Sequence, residues 1–315
     1  MTAPSLTVAI PTYNGARHID EAVQSILAQD ATFSLVVSDD RSSDDTVNRI
    51  RRIAGDRARI EINSERLGLA DNWNRCVALS QTPFVAIFHQ DDAMHPGHLT
   101  SHLAGFTEGV GLVASASGVI DSNSVQQVGN AIDPGGCGPS NRTYLVGEFL
   151  RELAVANPLR CSAVTLRVEA HRAANGFARR FRYVVDWDLW IKVAQDWGVA
   201  WLGRPSVSVR WHASSETHTF KTGVADLEET SALIDALLSD HPELGSFRRD
   251  ADRRLARAYL NRAYEAAKAG LGPLCRKSLR RAIALRPAIV GQIVADPRLA
   301  VRLALGSLGA LGRRG

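Results

Sequence analysis

Two pairs of adjacent aspartates carry the strongest chemical signal in this 315-residue sequence: Asp39 with Asp40, and Asp91 with Asp92. Neighbouring carboxylates repel one another unless a cation or several hydrogen-bond donors neutralise them. Such a pair therefore indicates either a bound divalent metal ion or a ligand that offers hydroxyl groups, such as a ribose. Each pair follows a short apolar run, so the elements around those runs decide where the carboxylates lie.

Short β-branched apolar runs alternate with helical patterns through the first hundred residues, which is typical of βαβ units and a largely parallel sheet. We expect strands at residues 6–10, 33–38, 59–63 and 84–89, with Pro11 ending the first. Further strands are predicted at residues 112–117, 162–167 and 207–211. Both aspartate pairs then stand at the C-terminal ends of strands, where ligands bind in open α/β sheets.

The two common phosphate-binding loops are missing. After the first predicted strand the chain reads PTYNGAR rather than G-x-G-x-x-G, and G-x-x-x-x-G-K-[ST] occurs nowhere. The sequence therefore argues against a standard dinucleotide or P-loop site. Four cysteines without a C-x-x-C pair predict reduced, structural thiols rather than a zinc knuckle or a disulfide framework.

Four segments, in this order and spacing, resemble the inverting nucleotide-sugar glycosyltransferases of glycosyltransferase family 2. They are TVAIPTYN at 7–14, VVSDDRSSDDT at 36–46, FHQDDAMHP at 88–96 and NGFARRFRYVVDWDL at 175–189. The resemblance covers roughly residues 5–215. It implies an α/β fold of the GT-A type, with a Rossmann-like, mixed but mostly parallel sheet flanked by helices.

The resemblance also implies a donor site at the first two strand ends. The residues that match the family's nucleoside-binding positions are Pro11, Thr12, Tyr13, Asn14 and Asp39. A carboxylate there can accept hydrogen bonds from a base N–H or from ribose hydroxyls. Asp40 either shares that role or accepts backbone N–H groups in a turn. Arg66 either pairs with a diphosphate oxygen or is an exposed loop arginine.

The metal motif of the family departs from its usual form in this sequence. The segment reads His89-Gln90-Asp91-Asp92, so a histidine replaces the first acid. The resemblance implies donor contacts from His89, Gln90 and Asp91, and makes Asp91 the ligand of Mg²⁺ or Mn²⁺; a histidine ligand would favour Mn²⁺. The alternative for His89 is a packed or capping side chain.

The family's Arg-x-His motif falls on Arg210-Trp211-His212, where the histidine either completes the metal shell or touches the diphosphate. Two histidines and two aspartates would also suit a zinc hydrolase. No H-E-x-x-H or similar close spacing of ligands supports that alternative.

The resemblance places the catalytic base at Asp186, with Val185 standing where the family usually has a glutamate. This base removes the proton of the acceptor hydroxyl during inverting attack. Asp186 is also predicted to cap a helix that starts near Trp187. The neighbouring tryptophans either stack on an acceptor sugar or belong to the core; they are Trp187, Trp190, Trp197 and Trp201.

Charge divides the chain. Residues 1–247 hold 21 basic and 29 acidic side chains, whereas residues 248–315 hold 16 basic and 4 acidic. We predict a GT-A domain at residues 1–222 and a basic, all-α region at residues 223–315. The latter includes one helix pair of tetratricopeptide type, broken near residues 270–273, and a short apolar stretch at residues 299–311.

The basic region favours docking on an anionic membrane surface or a protein partner, or is simply a solvated face. It lacks a nucleic-acid-binding motif, which argues against nucleic acid as the partner. The sequence leaves open whether the protein forms a homo-oligomer. Without a long apolar run or a basic leader segment, we expect a cytoplasmic protein, peripheral at the inner membrane face if it docks there.

The resemblance thus implies a hexosyltransferase-like enzyme of glycan biosynthesis. It would move a sugar from a nucleoside diphosphate donor to a hydroxyl of a glycan, lipid-linked or other glycoconjugate acceptor, with inversion and a divalent cation. One alternative is an inactive sugar-nucleotide-binding or scaffold protein. Another, a sugar nucleotidyltransferase, is disfavoured because PTYNGARH lacks a glycine-rich, basic loop.

Overall fold

The protein is described from a computed structural model that covers residues 5–127, 137–212 and 220–308. Two compact units divide the chain: Met1–Leu153 with Asn157–His212, and Ala154–Ala156 with Ala213–Gly315. The predicted domain boundary after residue 222 lies within the second unit.

The first unit is an α/β structure, as the alternating pattern predicted. Its strands are β1 Leu6–Thr12, β2 Phe33–Asp39, β3 Ala58–Ile62, β4 Phe84–Ile87, β5 Ala93–Met94, β6 Val110–Ile120, β7 Arg142–Tyr144, β8 Val164–Arg167 and β9 Gly198–Arg210. Its helices are α1 Ile19–Leu27, α2 Thr46–Ala54, α3 Leu69–Leu79, α4 His98–Gly105, α5 Leu150–Leu153, α6 Val168–Ala173 and α7 Val185–Asp196. Short 3-10 turns are formed by Gly55–Arg57 and Cys161–Ala163.

These strands form one mixed sheet in the order β3-β2-β1-β4-β8-β6-β9-β5, with β7 paired to β9. The first four are parallel, as is the long β6–β9 ladder. β8 runs antiparallel to both β4 and β6. The C-terminal ends of β1, β2 and β4 therefore meet at one edge of the sheet, and both aspartate pairs follow at that edge.

The core of this unit explains why the N-terminal half folds as it does. Every residue of β1 is buried, and Val8 and Ile10 pack in one cluster with Ile19, Val23 and Ile26 of α1. Those α1 positions recur at helical spacing, so one face of the helix covers the sheet. Burying each such side chain contributes about 1.5–3 kcal/mol, which makes the β1–α1 contact a main source of stability.

The prediction that Pro11 ends β1 was wrong, because the strand continues to Thr12. The carbonyl of Ala9 accepts a bond from Phe88 beyond β4, whereas that of Thr12 accepts one from Asp40 on the β2 side. The backbone groups of successive residues in a strand point to opposite neighbours. The backbone nitrogen of Pro11, two residues after Ala9, therefore points toward β4. Since β4 ends at Ile87, opposite Ala9, the missing N–H of the proline removes no bond of the ladder.

The predicted last strand at residues 207–211 is the end of the longer β9. This strand passes a register irregularity opposite Ser115 and Ser117 of β6. Trp187, Trp190 and Trp201 are buried, so the core interpretation of these three tryptophans holds over sugar stacking.

The second unit is helical in the part that the structure describes. It contains α8 Ala225–Asp240, α9 Arg248–Lys268, α10 Gly272–Leu285, α11 Ile289–Ala295 and α12 Pro297–Ser307, with 3-10 turns at Phe220–Thr222 and Pro242–Phe247. α9 and α10 form the helix pair that the sequence predicted. Leu303 and Gly306 of α12 cover Ala267, and Gly306 approaches so closely that a Cβ there would lie 2.2 Å from the Cβ of Ala267.

Of the apolar stretch predicted at residues 299–311, residues 299–308 are described and the rest lies outside the described residues. Among the helices described here, none combines the length and the apolar character that a membrane crossing requires.

Candidate active site

Asp39 ends β2 as a buried carboxylate with three donors around it. Thr12 Oγ1 donates to Oδ1 at 2.8 Å, Ser42 Oγ donates to the same oxygen at 2.6 Å, and the Ser42 N–H donates to Oδ2 at 2.9 Å. These bonds hold the carboxylate at the sheet edge between the ends of β1 and β2. Thr12 and Asp39, predicted together, thus touch one another.

The loop after β1 is held by side chains from the other two strand ends. The side-chain amide of Gln90 accepts from the Tyr13 N–H at 3.0 Å and donates to the Tyr13 carbonyl at 3.1 Å. Asn14, with a φ of 48°, accepts the Ser43 N–H on its Oδ1 at 2.8 Å. Asparagine is one of the few residues that adopt this left-handed conformation readily. Contacts within the protein therefore define the shape of this loop.

Gly15 is required by the approach of Gln90. A Cβ at this position would lie 2.1 Å from Gln90 Oε1 and 2.4 Å from its Cδ. No side chain fits there unless the Gln90 amide leaves Tyr13. Gln90 thus contacts the loop backbone, and its predicted contact with the donor stays a prediction.

Tyr13 and Arg66 meet at the mouth of the site. The Arg66 guanidinium carbon lies 3.9 Å from the centroid of the Tyr13 ring, within the range of a cation–π contact. Arg66 is exposed and Tyr13 is 37% exposed. The pair therefore presents an aromatic face and a cation side by side, next to Asp39.

Asp40 is turned away from the donor loop. Its Oδ1 accepts from Asn63 Nδ2 at 3.0 Å and from the Leu67 N–H at 2.7 Å, and its Oδ2 accepts from the Gly68 N–H at 2.9 Å. All three donors come from the segment that leads into α3, and the residue is buried. Of the two predicted roles, these contacts match the second: Asp40 anchors the turn before α3.

The second aspartate pair lies at the centre of a possible metal site. Ligand atoms of His89, Asp91 and Asp92 lie within 4.8 Å of one another, and in the described part of the chain this is the one such group of three. Asp91 Oδ2 is 2.9 Å from His212 Nε2. Burial opposes ionisation of Asp91, but the hydrogen bond from His212 and the nearby histidines hold its pKa below the usual value. Asp91 is therefore ionised near neutral pH, as an oxygen ligand of a cation must be.

His89 supplies an observation that fits a metal ion. Its Nδ1 lies 3.9 Å from Asp92 Oδ2, and its Nε2 is buried without a hydrogen-bond partner among the described residues. Its ring stacks on Trp73 at 5.2 Å between centroids, and burial lowers its pKa. A neutral imidazole beside the Asp91 carboxylate offers nitrogen and oxygen ligands that suit Mn²⁺ or a similar divalent ion. The sequence drew no attention to Trp73, which sits in α3 outside every motif.

Asp92 was noticed in the sequence but received no role. Its Oδ2 accepts from Ser162 Oγ at 2.5 Å and its Oδ1 accepts from the Arg210 N–H at 2.8 Å. Burial, followed by the charge of Asp91, raises the pKa of Asp92 to about 8. The carboxyl therefore ties β8 and β9 to the loop that carries Asp91, and only its adjacency to Asp91 marked it in the sequence.

Arg210 of the Arg-x-His segment is a buried clamp. Its Nε donates to the Asp91 carbonyl at 2.7 Å, its Nη1 donates to the Asp121 carbonyl at 2.8 Å, and its Nη2 donates to Glu21 Oε2 at 2.5 Å. The guanidinium thus fixes the backbone of Asp91 and the end of β9 together. His212, two residues later, faces Asp91 as a result.

His18, before α1, is a site residue that the sequence reasoning missed. Its ring centroid lies 5.2 Å from that of His212, and its Nε2 is buried without a partner among the described residues. Burial lowers its pKa, as do the charges of Arg210 and His212. The sequence offered only its place in PTYNGARH, which signals nothing by itself.

Asp186 lies in the first turn of α7 rather than at its cap, because the helix already begins at Val185. The predicted capping role was therefore wrong. Its Oδ1 accepts the Trp187 N–H at 2.7 Å, and its Oδ2 accepts from Asn157 Nδ2 at 3.3 Å. Burial raises its pKa, against the opposing charges of Arg160 and His89. A half-buried carboxyl with a raised pKa is a stronger base than a free aspartate.

Comparison with known proteins bears on this arrangement. Residues 7–152 match the sequence model of Glycosyl transferase family 2. The chain is 28% identical over 296 residues to the uncharacterized protein MT1568 of Mycobacterium tuberculosis, and the alignment covers 90% of each chain.

Two solved structures share the fold. That of S. aureus TarS 1-349 in complex with UDP-GlcNAc has a TM-score of 0.64 at 17% identity, over 98% of this chain and 88% of that one. The mannosyltransferase PcManGT of Pyrobaculum calidifontis, in complex with GDP-Man and Mn²⁺, has a TM-score of 0.58 at 19% identity, over 99% and 82% of the two chains. With the match of residues 7–152 to Glycosyl transferase family 2, these findings confirm the predicted family resemblance, and the chain has the GT-A fold.

Proposed function

We propose that this protein transfers a hexose-like sugar from a nucleoside diphosphate donor to an acceptor hydroxyl, with inversion and with help from a divalent cation. The observation that carries the proposal is the cluster of His89, Asp91 and Asp92 at the same sheet edge as the Asp39 carboxylate. A nucleoside diphosphate needs a cation site for its phosphates and a hydrogen-bond acceptor for its base or ribose, side by side.

The donor would lie along the ends of β1 and β2. Asp39 offers carboxylate oxygens to a base or ribose, and the shaped loop of Tyr13 and Asn14 frames that position. Arg66, on the Tyr13 ring, supplies a cation for a diphosphate oxygen. UDP-GlcNAc in TarS and GDP-Man in PcManGT support a nucleotide sugar as the ligand class.

A divalent ion would be held by Asp91, with His89 close enough to join it. Asp92 supports the loop through Ser162 and Arg210, and His212 contacts Asp91 Oδ2. A bound cation supplies charge neutralisation for the donor diphosphate and thereby improves it as a leaving group. Mn²⁺ in the PcManGT complex supports this choice of ion.

Asp186 is the proposed base. Its carboxylate takes the proton of the acceptor hydroxyl while that oxygen forms a bond to the anomeric carbon from the face opposite the diphosphate. The bond from the anomeric carbon to the diphosphate oxygen breaks, and the electron pair leaves with the nucleoside diphosphate. Asp186 ends protonated, which its raised pKa favours.

The decisive experiment offers the purified chain a panel of UDP-, GDP- and dTDP-sugars with Mn²⁺ or Mg²⁺. A true donor at about 100 times its Kd raises the free energy of unfolding by about 2.7 kcal/mol, which thermal unfolding detects. Slow release of free nucleoside diphosphate should accompany binding. Binding without any turnover, with every acceptor class tried, would favour the inactive scaffold instead. Neither binding nor hydrolysis would refute the proposal.

A further inference from the structure

The second unit carries a cationic face on α10. Arg276, Lys277, Arg280 and Arg281 are all exposed and lie at the spacing of one helical face. Together with Pro273 and Ala284 they line a surface cavity of about 400 Å³. Glu228 of α8 neutralises part of this charge, at 3.0 Å from Lys277 and 3.8 Å from Arg281. The cationic face thus keeps a net positive charge.

An apolar row on α12 lies beside this face. Val301, Leu305 and Leu308 recur at helical spacing and are 57%, 39% and 79% exposed. These three side chains do not fill the core of the second unit, because the opposite side of α12, with Leu303, is the side that packs on α9 and α10. Aliphatic side chains of this size exposed in a row on one helix commonly mark an interaction surface.

A hydrogen bond joins the two features. The Arg276 guanidinium, on the cationic face, donates to the carbonyl of Ser307 at the end of α12. Leu308 follows directly in the chain, so the most exposed leucine lies next to the cations. A surface that combines arginines with protruding leucines matches a bilayer, whose anionic head groups overlie an apolar interior.

We propose that the cationic face of α10 and the apolar row of α12 form a docking surface for anionic phospholipid membranes. The cations would contact lipid phosphates, and Leu305 and Leu308 would enter the acyl boundary. Nucleic acid explains the cations alone, because it offers no apolar partner for the leucines. This inference concerns where the protein works and stands whether or not it transfers sugar.

The test is co-sedimentation of the full chain with phosphatidylcholine vesicles that contain or lack phosphatidylglycerol. The wild type should sediment only with the anionic vesicles. The variant Lys277→Ser/Arg280→Ser/Arg281→Ser should bind roughly 100-fold more weakly, since each surface cation contributes about fivefold. Leu305→Ser/Leu308→Ser should also weaken binding, and more markedly at high salt, where the electrostatic part is screened.

A matched control removes the same number of cations from another helix face. Arg249, Arg253 and Arg257 are exposed and lie on one face of α9, and their triple serine variant should bind almost as the wild type does. Equal loss in both triple variants would overturn the proposal in favour of diffuse charge. The proposal would also be overturned if the wild type did not bind anionic vesicles at low salt. The same holds if these residues were needed for oligomers or nucleic-acid complexes but not for vesicle binding. Thermal unfolding checks that each variant is folded.

Discussion

Nε2 of His212 lies 2.9 Å from Oδ2 of Asp91, although 121 positions separate the two residues in the chain. The contact depends on Arg210, which is fully buried and binds the Asp91 backbone through its guanidinium. The end of the last strand and the loop after β4 are thus one rigid element. The buried guanidinium thus holds Asp91 and His212 in one arrangement, which lowers the cost of organising the site for a ligand.

The metal proposal predicts different behaviour for Asp91 and Asp92. Asp91→Asn should abolish the stabilisation that Mn²⁺ adds to donor binding. Without ligand, its free energy of unfolding should stay within about 1 kcal/mol of the wild-type value, because the side chain of Asp91 is not in the core. Asp92→Asn should destabilise the unliganded fold more, since Asp92 bonds to both Ser162 and Arg210. Thermal unfolding with UDP-sugar, Mn²⁺ or a chelator measures both effects. Equal metal response in wild type and Asp91→Asn would contradict the assignment.

The proposed base is tested by Asp186→Asn. This change keeps the shape of the side chain and should lower kcat by roughly 10²–10⁴-fold, the usual share of a general base. Donor affinity should change little, because the variant leaves the strand-end loops intact. Asp196→Asn, at the exposed end of the same helix, is the matched control and should keep full activity. Transfer by Asp186→Asn at the wild-type rate would exclude this residue as the base.

The shape of the loop after β1 is predicted to depend on Gly15. Gly15→Ala forces its Cβ against the Gln90 amide and should cost about 1–3 kcal/mol of stability, as overpacking does, with weaker donor binding. Adding Gln90→Ala should restore part of the stability but not the affinity, since the Tyr13 backbone then loses its partner. Gly291→Ala, where a Cβ meets no atom within 4 Å, serves as control. Chemical denaturation and donor titration give the two quantities.

A buried histidine pair in α4 should contribute to the acid sensitivity of the first unit, together with His171, whose pKa burial lowers to about 4. His98 and His102 stack at 4.0 Å, and each Nδ1 meets a hydroxyl, of Ser206 and Thr165 respectively. Burial lowers the pKa of His98 to about 3 and that of His102 well below its usual value, and the charge of His98 disfavours that of His102. His95, near His98, acts in the same direction.

Because both folded-state pKa values lie below the unfolded value near 6.5, the folded state binds fewer protons. Stability is therefore fully present above pH 6.5 and falls as the pH drops from 6.5 toward 3, by up to about 1.4 kcal/mol per pH unit for each histidine. His102→Asn retains an acceptor near the Thr165 hydroxyl. It should reduce the change of unfolding free energy with pH by the contribution of one histidine, up to about 1.4 kcal/mol per pH unit. An unchanged slope of unfolding free energy between pH 6.5 and 4.5 would rule out the pair as a cause.

Sequence reasoning succeeded where the signal is local. The period of apolar residues predicted β1, α1 and β2 to within a few residues, and the strings around Asp39, Asp91 and Asp186 identified the family. It failed where the deciding contact is distant in the chain. Nothing local reveals that Pro11 faces a strand that has already ended, or that Asp40 binds the backbone before α3.

What the sequence determined by itself is the fold class, the family and the location of carboxylates at strand ends, because periodicity and motif spacing are properties of short segments. Tertiary structure alone decided which carboxylates are available. It buried Asp92 against Ser162 and Arg210, turned Asp40 toward a loop, and brought His18, His89 and His212 around Asp91. Hydrogen bonding and desolvation depend on neighbours from distant segments, so the chemistry of each acid is settled only when the sheet assembles.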